Sequence, residues 1–176
     1  RNTLLFRDPT VDGLKTGHTA AAGYCLVATS KRDFPQLGQR RLLSIVLGTA
    51  SENARANESQ KLLNWGYTAF DAVKLFDAGQ PVATPEIWKG KQSQLKIGRA
   101  EPIVVTVPSG SAGKVSTQVV RQEPLLAPIA QGQQVGTLKV MLGEQSVAEV
   151  PLVALEGVEQ AGLLGRAWDA IRLWIK

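Results

Sequence analysis

The sequence has very little of the residue types that bind metals or cross-link a chain. Cys25 is the only cysteine and His18 the only histidine among 176 residues. One cysteine excludes an internal disulfide and a CxxC motif, and one histidine excludes a His–His metal pair. We therefore expect neither a metal nor a cofactor. We expect Cys25 to be a small buried residue of a strand rather than a nucleophile.

Long apolar runs and low-complexity segments are also missing. No run approaches the eighteen apolar residues of a membrane-spanning helix, and no internal repeat is present. Residues 1–5 are neither an initiator start nor a signal peptide, so we expect the chain to be the carboxyl-terminal part of a longer protein. Contents of 44% hydrophobic and 20% charged residues are those of a folded protein with one ordinary domain or two small ones.

Acidic residues are few in the first part of the chain and in its tail. Residues 1–70 contain nine Lys and Arg against five Asp and Glu, and residues 161–176 contain three against one. Residues 71–160 are nearly balanced, so the net charge of +5 belongs to the two ends. A basic site suits an anionic ligand, and a basic tail suits an anionic membrane surface. No nucleic-acid module is recognisable, so we expect no nucleic-acid partner.

Three segments near the amino terminus have the pattern of β-strands. Residues 13–19, 24–30 and 41–48 are rich in β-forming residues and follow one another closely. Residues 31–40 contain a proline and a glycine and read as a polar hairpin tip. The nearly continuous apolar character of residues 41–48 predicts burial on both faces. Together the three segments predict an antiparallel meander.

A helix is predicted after the meander. Ser51 can cap its start, Glu52 suits the positive end of the helix dipole, and Gly66 is the expected stop. The predicted apolar side consists of Ala54, Leu62, Leu63 and Trp65. The predicted solvated side consists of Arg55, Glu58 and Lys61.

From about residue 71 the sequence changes to frequent glycine and proline without helical periodicity. Residues 103–107, 115–121, 135–142 and 147–155 read as strands with close, regular turns between them. This spacing predicts a small antiparallel β-sandwich.

The tail, residues 161–176, has the pattern of an amphipathic helix. Its polar residues recur at spacings of three and four, and its apolar side includes Leu164, Trp168, Ile171, Trp174 and Ile175. Tryptophans on the apolar side and basic residues on the polar side favour a helix that lies in a membrane interface. The alternative is a terminal helix that packs on its own domain.

One motif connects these segments to a known family. The chain reads Val-Asp-Gly-Leu-Lys-Thr-Gly-His-Thr over residues 11–19, followed by Ala-Gly-Tyr at 22–24. Lys-Thr-Gly on a strand is one of three elements of active-serine penicillin-recognising enzymes. With these flanks, and with residues 55–63 similar to a helix start of the family, the chain resembles the D-alanyl-D-alanine carboxypeptidases, the low-molecular-mass penicillin-binding proteins.

The resemblance implies an α+β fold with three parts. Residues 1–70 would be the end of the serine peptidase catalytic domain, an antiparallel sheet with a helix. Residues 71–160 would be the β-sandwich domain, and residues 161–176 the membrane-association helix. The resemblance also implies a periplasmic protein, peripherally attached to the outer face of the bacterial inner membrane.

The resemblance further implies roles for single residues. Lys15 and the Thr16 hydroxyl would bind the substrate carboxylate, and Gly17 would let an extended peptide lie against the strand. The backbone N–H of His18 would be one oxyanion donor, while its side chain packs at the cleft edge. Thr19 would contribute a second hydroxyl. Arg55 would help hold the carboxylate, or else be an exposed helix arginine paired with Glu58 or Glu52.

Two elements of the family's active site are not recognisable. No S-x-x-K turn supplies a nucleophilic serine with its lysine, and the S-x-N of residues 51–53 follows Lys-Thr-Gly instead of preceding it. We treat that S-x-N as coincidence. The missing amino-terminal half of the catalytic domain would supply the nucleophile, so we expect this chain alone to be inactive.

The sequence therefore predicts part of a serine-type D-Ala-D-Ala carboxypeptidase. It would remove the terminal D-alanine from peptidoglycan pentapeptides through an acyl-enzyme, and β-lactam antibiotics would acylate it as substrate mimics. One alternative is a non-catalytic pedestal or membrane-contact module. Another is a related β-lactamase or transpeptidase.

Overall fold

The computed structural model describes residues 1–34, 37–162, 165, 168–170 and 174. The chain divides into two compact units. Unit 1 consists of residues 1–72 with 108–110, and unit 2 of residues 73–107 with 111–176.

Unit 1 contains the predicted meander and helix. After a 3₁₀ turn at Thr3–Phe6, the strands are β1 (Val11–Thr19), β2 (Gly23–Phe34) and β3 (Gly38–Thr49), followed by helix α1 (Glu52–Ala69). The three strands are antiparallel in the order β1-β2-β3, which confirms the meander and leaves β1 at an edge of the sheet.

The hairpin between β2 and β3 differs from its prediction. Lys31 to Phe34 pair with Gly38 to Arg41, so most of the expected polar tip is strand. The tip's residues 35 and 36 lie outside the described residues. Aromatic and cationic side chains support the longer strands, because Phe34 stacks on Tyr67 and the Arg32 guanidinium lies 4.2 Å from the centre of the Tyr67 ring.

The prediction that β3 is buried on both faces is wrong. Ser44 and Val46 are buried, whereas Leu43, Ile45 and Leu47 are more than half exposed. Side chains alternate between the faces of a strand, and α1 packs against only one of them. The other face of the sheet is therefore an exposed apolar surface among the residues that the structure describes.

Helix α1 begins as predicted but ends later. The Ser51 side chain accepts a hydrogen bond from the Ala54 N–H, which confirms the cap. The predicted stop at Gly66 is wrong, since the helix continues to Ala69. A Cβ at position 66 would come within 2.9 Å of Leu42 Cδ1, so Gly66 allows the helix to approach β3 closely.

The sides of α1 also differ from prediction. Its buried residues are Arg55, Ala56, Ser59, Leu63 and Tyr67, at the spacing of one helix face. Leu62 and Trp65 are exposed, and Trp65 packs edge-to-face on Phe70. The buried face carries an arginine, a serine and a tyrosine, so hydrophobic periodicity did not identify it.

The core of unit 1 lies between the sheet, α1 and the 3₁₀ turn. It consists of Leu4, Val11, Leu26, Ala28 and Leu63, with Leu42 packed against them. Leu4 is completely buried, and the Asn2 side chain caps its turn by accepting from the Leu4 N–H. The leading segment, expected to be a strand or loop, is thus a capped turn that closes the core.

Unit 2 is built from short strands, as predicted. The five-stranded sheet has the order β5-β7-β12-β11-β9, and two further pairs are β4 with β8 and β10 with β6. The bounds are β4 (Phe70–Phe76), β5 (Pro81–Ala83), β6 (Ile87–Trp88), β7 (Ile97–Gly98), β8 (Ile103–Pro108), β9 (Val115–Val120), β10 (Leu125–Leu126), β11 (Gln134–Leu142) and β12 (Gln145–Ala154). The four predicted strands correspond to β8, β9, β11 and β12.

The core of unit 2 is a single cluster of aliphatic side chains. Leu95, Leu138, Val140 and Leu152 are among its completely buried members. Alternate residues of β8 are buried, since Ile103, Val105 and Val107 point into the cluster. The mostly antiparallel strands with few helices confirm the α+β class.

The predicted tail helix falls largely outside the described residues. Leu164, Ile171 and Ile175 are among the residues outside that part, so the helix stays a prediction. Trp168 and Trp174 are described and exposed. The Asp169 carboxylate accepts a hydrogen bond from the Lys89 backbone N–H at 2.7 Å. Within the described residues, no helix is long and apolar enough to cross a membrane.

Candidate functional site

The Lys-Thr-Gly motif lies on β1, one of the two edge strands of the sheet in unit 1. Lys15 is exposed, and its ammonium donates a hydrogen bond to the Thr16 carbonyl at 2.7 Å. No carboxylate lies within ion-pair distance of the Lys15 ammonium in the described part of the chain. An exposed cation without an anionic partner can bind an incoming carboxylate or phosphate.

Gly17 lies at a position of β1 that has room for a side chain. A Cβ at this position would meet only Cys25 Cβ, at 3.7 Å, which is ordinary contact. The fold of unit 1 therefore does not itself require glycine here. An extended ligand that pairs with the edge of β1 does gain from the absence of a side chain.

Asp12 ties the three strands together near the motif. Its carboxylate accepts two hydrogen bonds of 2.7 Å from the Arg41 guanidinium and one of 2.6 Å from the Thr29 hydroxyl. A β-bulge between Val11 and Gly13 aims Asp12 at these partners. A Cβ at Gly13 would lie 3.1 Å from Thr29 Oγ1, so glycine allows the close approach.

This arrangement alters the ionisation of Asp12. The hydrogen bonds from Arg41, followed by the one from Thr29, hold the pKa of the Asp12 carboxyl well below its usual range. The sequence does not indicate that Asp12, Thr29 and Arg41 form a group. The pairing register brings them together from three strands, and no spacing along the chain indicates it.

His18 and Tyr24 form a cross-strand pair next to the turn, residues 20–22, that joins β1 to β2. Their rings pack against each other in a tilted arrangement with centroids 4.0 Å apart, and the Arg55 guanidinium lies 5.5 Å from the Tyr24 ring centre. Thr19 accepts a hydrogen bond from the Ala22 N–H through its hydroxyl, which keeps the hydroxyl proton free to donate elsewhere.

Arg55 is 3% exposed, so the interpretation of it as an exposed surface arginine is wrong. Its guanidinium donates to the carbonyl oxygens of Gly17 and Arg1, each at 3.2 Å, and forms an ion pair with Glu52 at 3.2 Å. The structure thus places this arginine directly beneath the motif strand. Its predicted contact with a substrate carboxylate stays a prediction.

The described residues contain no nucleophile paired with a base. No serine hydroxyl among them hydrogen-bonds a lysine amine, and the buried hydroxyls of Ser44 and Ser59 have no hydrogen-bond partner. Ser51 caps α1, and Asn53 accepts a hydrogen bond from Arg7, so both have structural roles. Cys25 is half-buried, with its thiol near the Ala22 carbonyl.

A metal site is also absent from the part of the chain that the structure describes, since no three His, Cys, Asp or Glu side chains converge there. What the described residues do present is an edge strand with one unpaired ammonium, neighbouring hydroxyls and an open glycine. Such a surface can bind an anionic, extended ligand.

Comparison with known proteins agrees with this geometry. Residues 70–160 match the family model of the C-terminal domain of penicillin-binding protein 5, and residues 1–51 match that of D-alanyl-D-alanine carboxypeptidase. The chain is similar to D-alanyl-D-alanine carboxypeptidase DacC of Escherichia coli K12, with 39% identity over 98% of this chain and 42% of the relative. DacA of Haemophilus influenzae is 33% identical over 100% of this chain and 44% of its own length.

Solved structures give the same result. A crystal structure of penicillin-binding protein 5 from Haemophilus influenzae matches 90% of this chain and 46% of that chain, with a TM-score of 0.78 and 32% identity. The chain spans about two fifths of the length of the curated relatives that it matches. The C-terminal-domain match covers just over half of the chain, and the Lys-Thr-Gly strand lies within the carboxypeptidase match. The chain therefore belongs to the family of D-alanyl-D-alanine carboxypeptidases, the low-molecular-mass penicillin-binding proteins.

Proposed function

We propose that this chain supplies the carboxylate-binding wall of a serine-type D-Ala-D-Ala carboxypeptidase. The observation that carries the proposal is the Lys15 ammonium, exposed on an edge strand without a carboxylate partner among the described residues. The substrate is a peptidoglycan pentapeptide, whose terminal D-alanine presents a free carboxylate to this cation. A β-lactam carries a comparable acid group and acylates the same enzyme.

The neighbouring residues have complementary roles in this proposal. The Thr16 and Thr19 hydroxyls donate to the carboxylate, and the substrate backbone pairs with β1 at Gly17. The backbone N–H of His18 stabilises the oxyanion, with the nucleophile's own N–H as second donor. Arg55 adds positive charge beneath Gly17, where it is fixed by its buried hydrogen bonds.

The nucleophilic serine and its activating lysine come from an amino-terminal half of the catalytic domain. The exposed apolar side chains Leu43, Ile45 and Leu47 on the Lys15 face of the sheet support this, because a contiguous apolar surface is typical of a contact with further protein. Without that half the chain binds neither substrate nor β-lactam covalently.

We place the protein in the periplasm, with residues 161–176 on the outer surface of the inner membrane. Support comes from Trp174, whose side chain is 88% exposed, and from the exposed Trp168. Indole rings favour the boundary between headgroups and hydrocarbon, and the basic residues of the tail favour anionic lipid.

Labelled penicillin tests the catalytic proposal. We expect the full-length protein to acquire a stable label and the isolated chain to acquire none. Lys15→Met in the full-length protein should slow acylation at least about tenfold, since a hydrogen bond to a charged group contributes about 1.5–3 kcal/mol.

Lys61→Met is the matched control, because Lys61 is an exposed lysine of unit 1 paired with Glu58. Its acylation rate should equal that of the unmodified protein. Labelling of the isolated chain, or equal rates for the Lys15 and Lys61 variants, would contradict the proposal. Rapid release of the label, with turnover of penicillin, would instead favour the β-lactamase alternative.

A further inference from the structure

Lys15, Arg41 and Asp12 lie on one face of the sheet in unit 1, and strand alternation places Lys31 and Asp33 of β2 on that face as well. The strand register puts Lys15, Val27 and Ile45 in one row across the three strands. It puts Gly13, Thr29 and Leu43 in another row. Arg41 is two residues from Leu43 and therefore lies on this face as well. Asp12 reaches the face through the bulge and pairs with Arg41.

The Asp12 carboxylate of this group lies close to the motif lysine along the strand. Asp12 and Lys15 are three residues apart, which is about 10 Å of extended chain at about 3.3 Å per residue. A flexible lysine side chain can cover much of such a distance. An uncompensated carboxylate at position 12 would therefore compete with an incoming carboxylate for the Lys15 ammonium.

Arg41 prevents that competition in the structure. Both terminal nitrogens of its guanidinium bond the two Asp12 oxygens at 2.7 Å, and the Thr29 hydroxyl takes a further position on the carboxylate. The Lys15 ammonium has only a carbonyl partner among the described residues. The Asp12 charge is neutralised by a bidentate partner, and the Lys15 charge is not.

We propose that Arg41 is a specificity-determining positioning residue that sequesters Asp12 and so keeps the Lys15 cation available to anionic ligands. The inference rests on the proposed function, since it assigns to Lys15 the binding of a carboxylate. Arg41 does not touch the ligand. It acts through the charge balance of the surface that the ligand approaches.

The charge balance distinguishes this role from a mechanical one. Arg41→Gln leaves Asp12 unpaired, which lowers the positive potential at Lys15. Asp12→Asn leaves Arg41 unpaired, which raises that potential. The double variant cancels both changes. If the ion pair only holds β1 and β3 together, the two single variants and the double variant lose the same connection. Their acylation rates should then fall by the same factor.

The experiment measures the second-order rate constant of acylation of the full-length protein by a penicillin, whose ring carboxylate supplies the anion. Active sites are counted by end-point labelling, so that misfolded protein does not enter the rate. We expect Arg41→Gln to slow acylation about fivefold at low salt, since unit charges about 10 Å apart near a protein surface interact on that scale. Asp12→Asn should equal or exceed the unmodified rate, and the double variant should recover most of the loss.

Two further measurements keep the test decisive. The deficit of Arg41→Gln should shrink in 1 M salt, where the screening length is about 3 Å. Arg41→Lys keeps the charge but not the bidentate geometry, so its rate should stay near that of the unmodified protein. Glu58→Gln is the control, because it removes an ion pair of similar exposure elsewhere in unit 1.

Equal losses in Arg41→Gln, Asp12→Asn and the double variant, insensitive to salt, would overturn the inference. Failure of the proposed function has a different signature, because Lys15→Met would then be acylated at the unmodified rate. A normal loss in Lys15→Met combined with equal losses in the Arg41 and Asp12 variants would reject this inference alone.

Discussion

Among single residues, Asp12 shows how a carboxylate acquires an unusual environment while it remains half-exposed. Arg41 and Thr29 donate three hydrogen bonds to it, so the pKa of Asp12 in the folded protein lies well below the ordinary value of an aspartate. Unfolding removes these donors. A depressed pKa in the folded state means that Asp12 contributes stability at pH values above the unfolded pKa and loses it as the pH falls.

The contribution of Asp12 to the free energy of unfolding should therefore decrease when the pH is lowered. We expect the unmodified protein to be more stable than Asp12→Asn by a constant amount between pH 6 and 8. The difference in free energy of unfolding should narrow as the pH falls below about 4. At such pH values the Asp12 carboxylate is protonated in the unfolded chain but stays ionised in the folded protein. Urea unfolding at a series of pH values measures both curves.

Arg41→Gln serves as the comparison, because it keeps the carboxyl group and removes its main partner. Its free energy of unfolding should depend on pH less steeply than that of the unmodified protein over the acidic range. Parallel curves for all three proteins would show that Arg41 does not stabilise the ionised form of Asp12.

Among the elements, helix α1 illustrates how a buried helix face can be polar. Arg55 and Ser59 lie on the side that packs against the sheet, while Leu62 and Trp65 face outward. The buried arginine is tolerated because it donates to two backbone carbonyls and pairs with Glu52. The face of α1 beneath the motif strand is therefore a support for β1 as well as part of the core.

Adjacent leucines of α1 provide a direct test of this orientation. Leu63 is 1% exposed and belongs to the core of unit 1, whereas Leu62 is 44% exposed. We expect Leu63→Ala to lower the free energy of unfolding by about 2–5 kcal/mol, because it leaves a cavity in the core. Leu62→Ala should change it by about 0.5 kcal/mol or less. Chemical denaturation of both variants measures the contrast, and equal losses would mean that α1 is rotated about its axis.

On the scale of the whole molecule, the two units have different surfaces. Unit 1 exposes apolar side chains on one face of its sheet, namely Leu43, Ile45 and Leu47. Unit 2 encloses an aliphatic core and carries surface ion pairs such as Lys139 with Glu149. Unit 2 also exposes apolar side chains, such as Val104, Val120 and Leu126, but on separate strands, and unit 1 has surface ion pairs of its own. The difference is one of arrangement, since unit 1 gathers three of its exposed apolar side chains on one face of β3. The tail after residue 160 adds exposed tryptophans to unit 2.

Removal of residues 161–176 should separate the two interpretations of the tail. If the tail binds membranes, the full-length protein should sediment with vesicles that contain anionic lipid, and the truncated protein should remain in the supernatant. If the tail instead packs on its own domain, where Asp169 accepts a hydrogen bond from the Lys89 N–H, truncation should lower the melting temperature and leave vesicle binding unchanged. We expect the first outcome. Trp174→Gln in the full-length protein is the milder variant, and it should weaken only membrane binding.

Much of the architecture followed from local chemistry. The Lys-Thr-Gly strand, the meander, the Ser51 cap and strands β8, β9, β11 and β12 were recognisable because turn residues, β-formers and a capping serine act over a few positions. The resemblance to the carboxypeptidases followed from residues 11–24 in the same way. Sequence therefore determined the family, the class of fold and the strand that carries the motif.

Tertiary structure decided what depends on contacts between distant segments. The apolar run on β3 does not reveal that helix α1 covers only one face of the sheet. Helix α1 continues through Gly66, where the absence of a side chain lets it pack closely against Leu42. The sequence alone predicts Arg55 equally well as a surface residue, whereas in the structure it is buried and donates a hydrogen bond to the Gly17 carbonyl. Asp12, Thr29 and Arg41 come into contact because of the register in which the three strands pair. The sequence of a single strand does not specify that register.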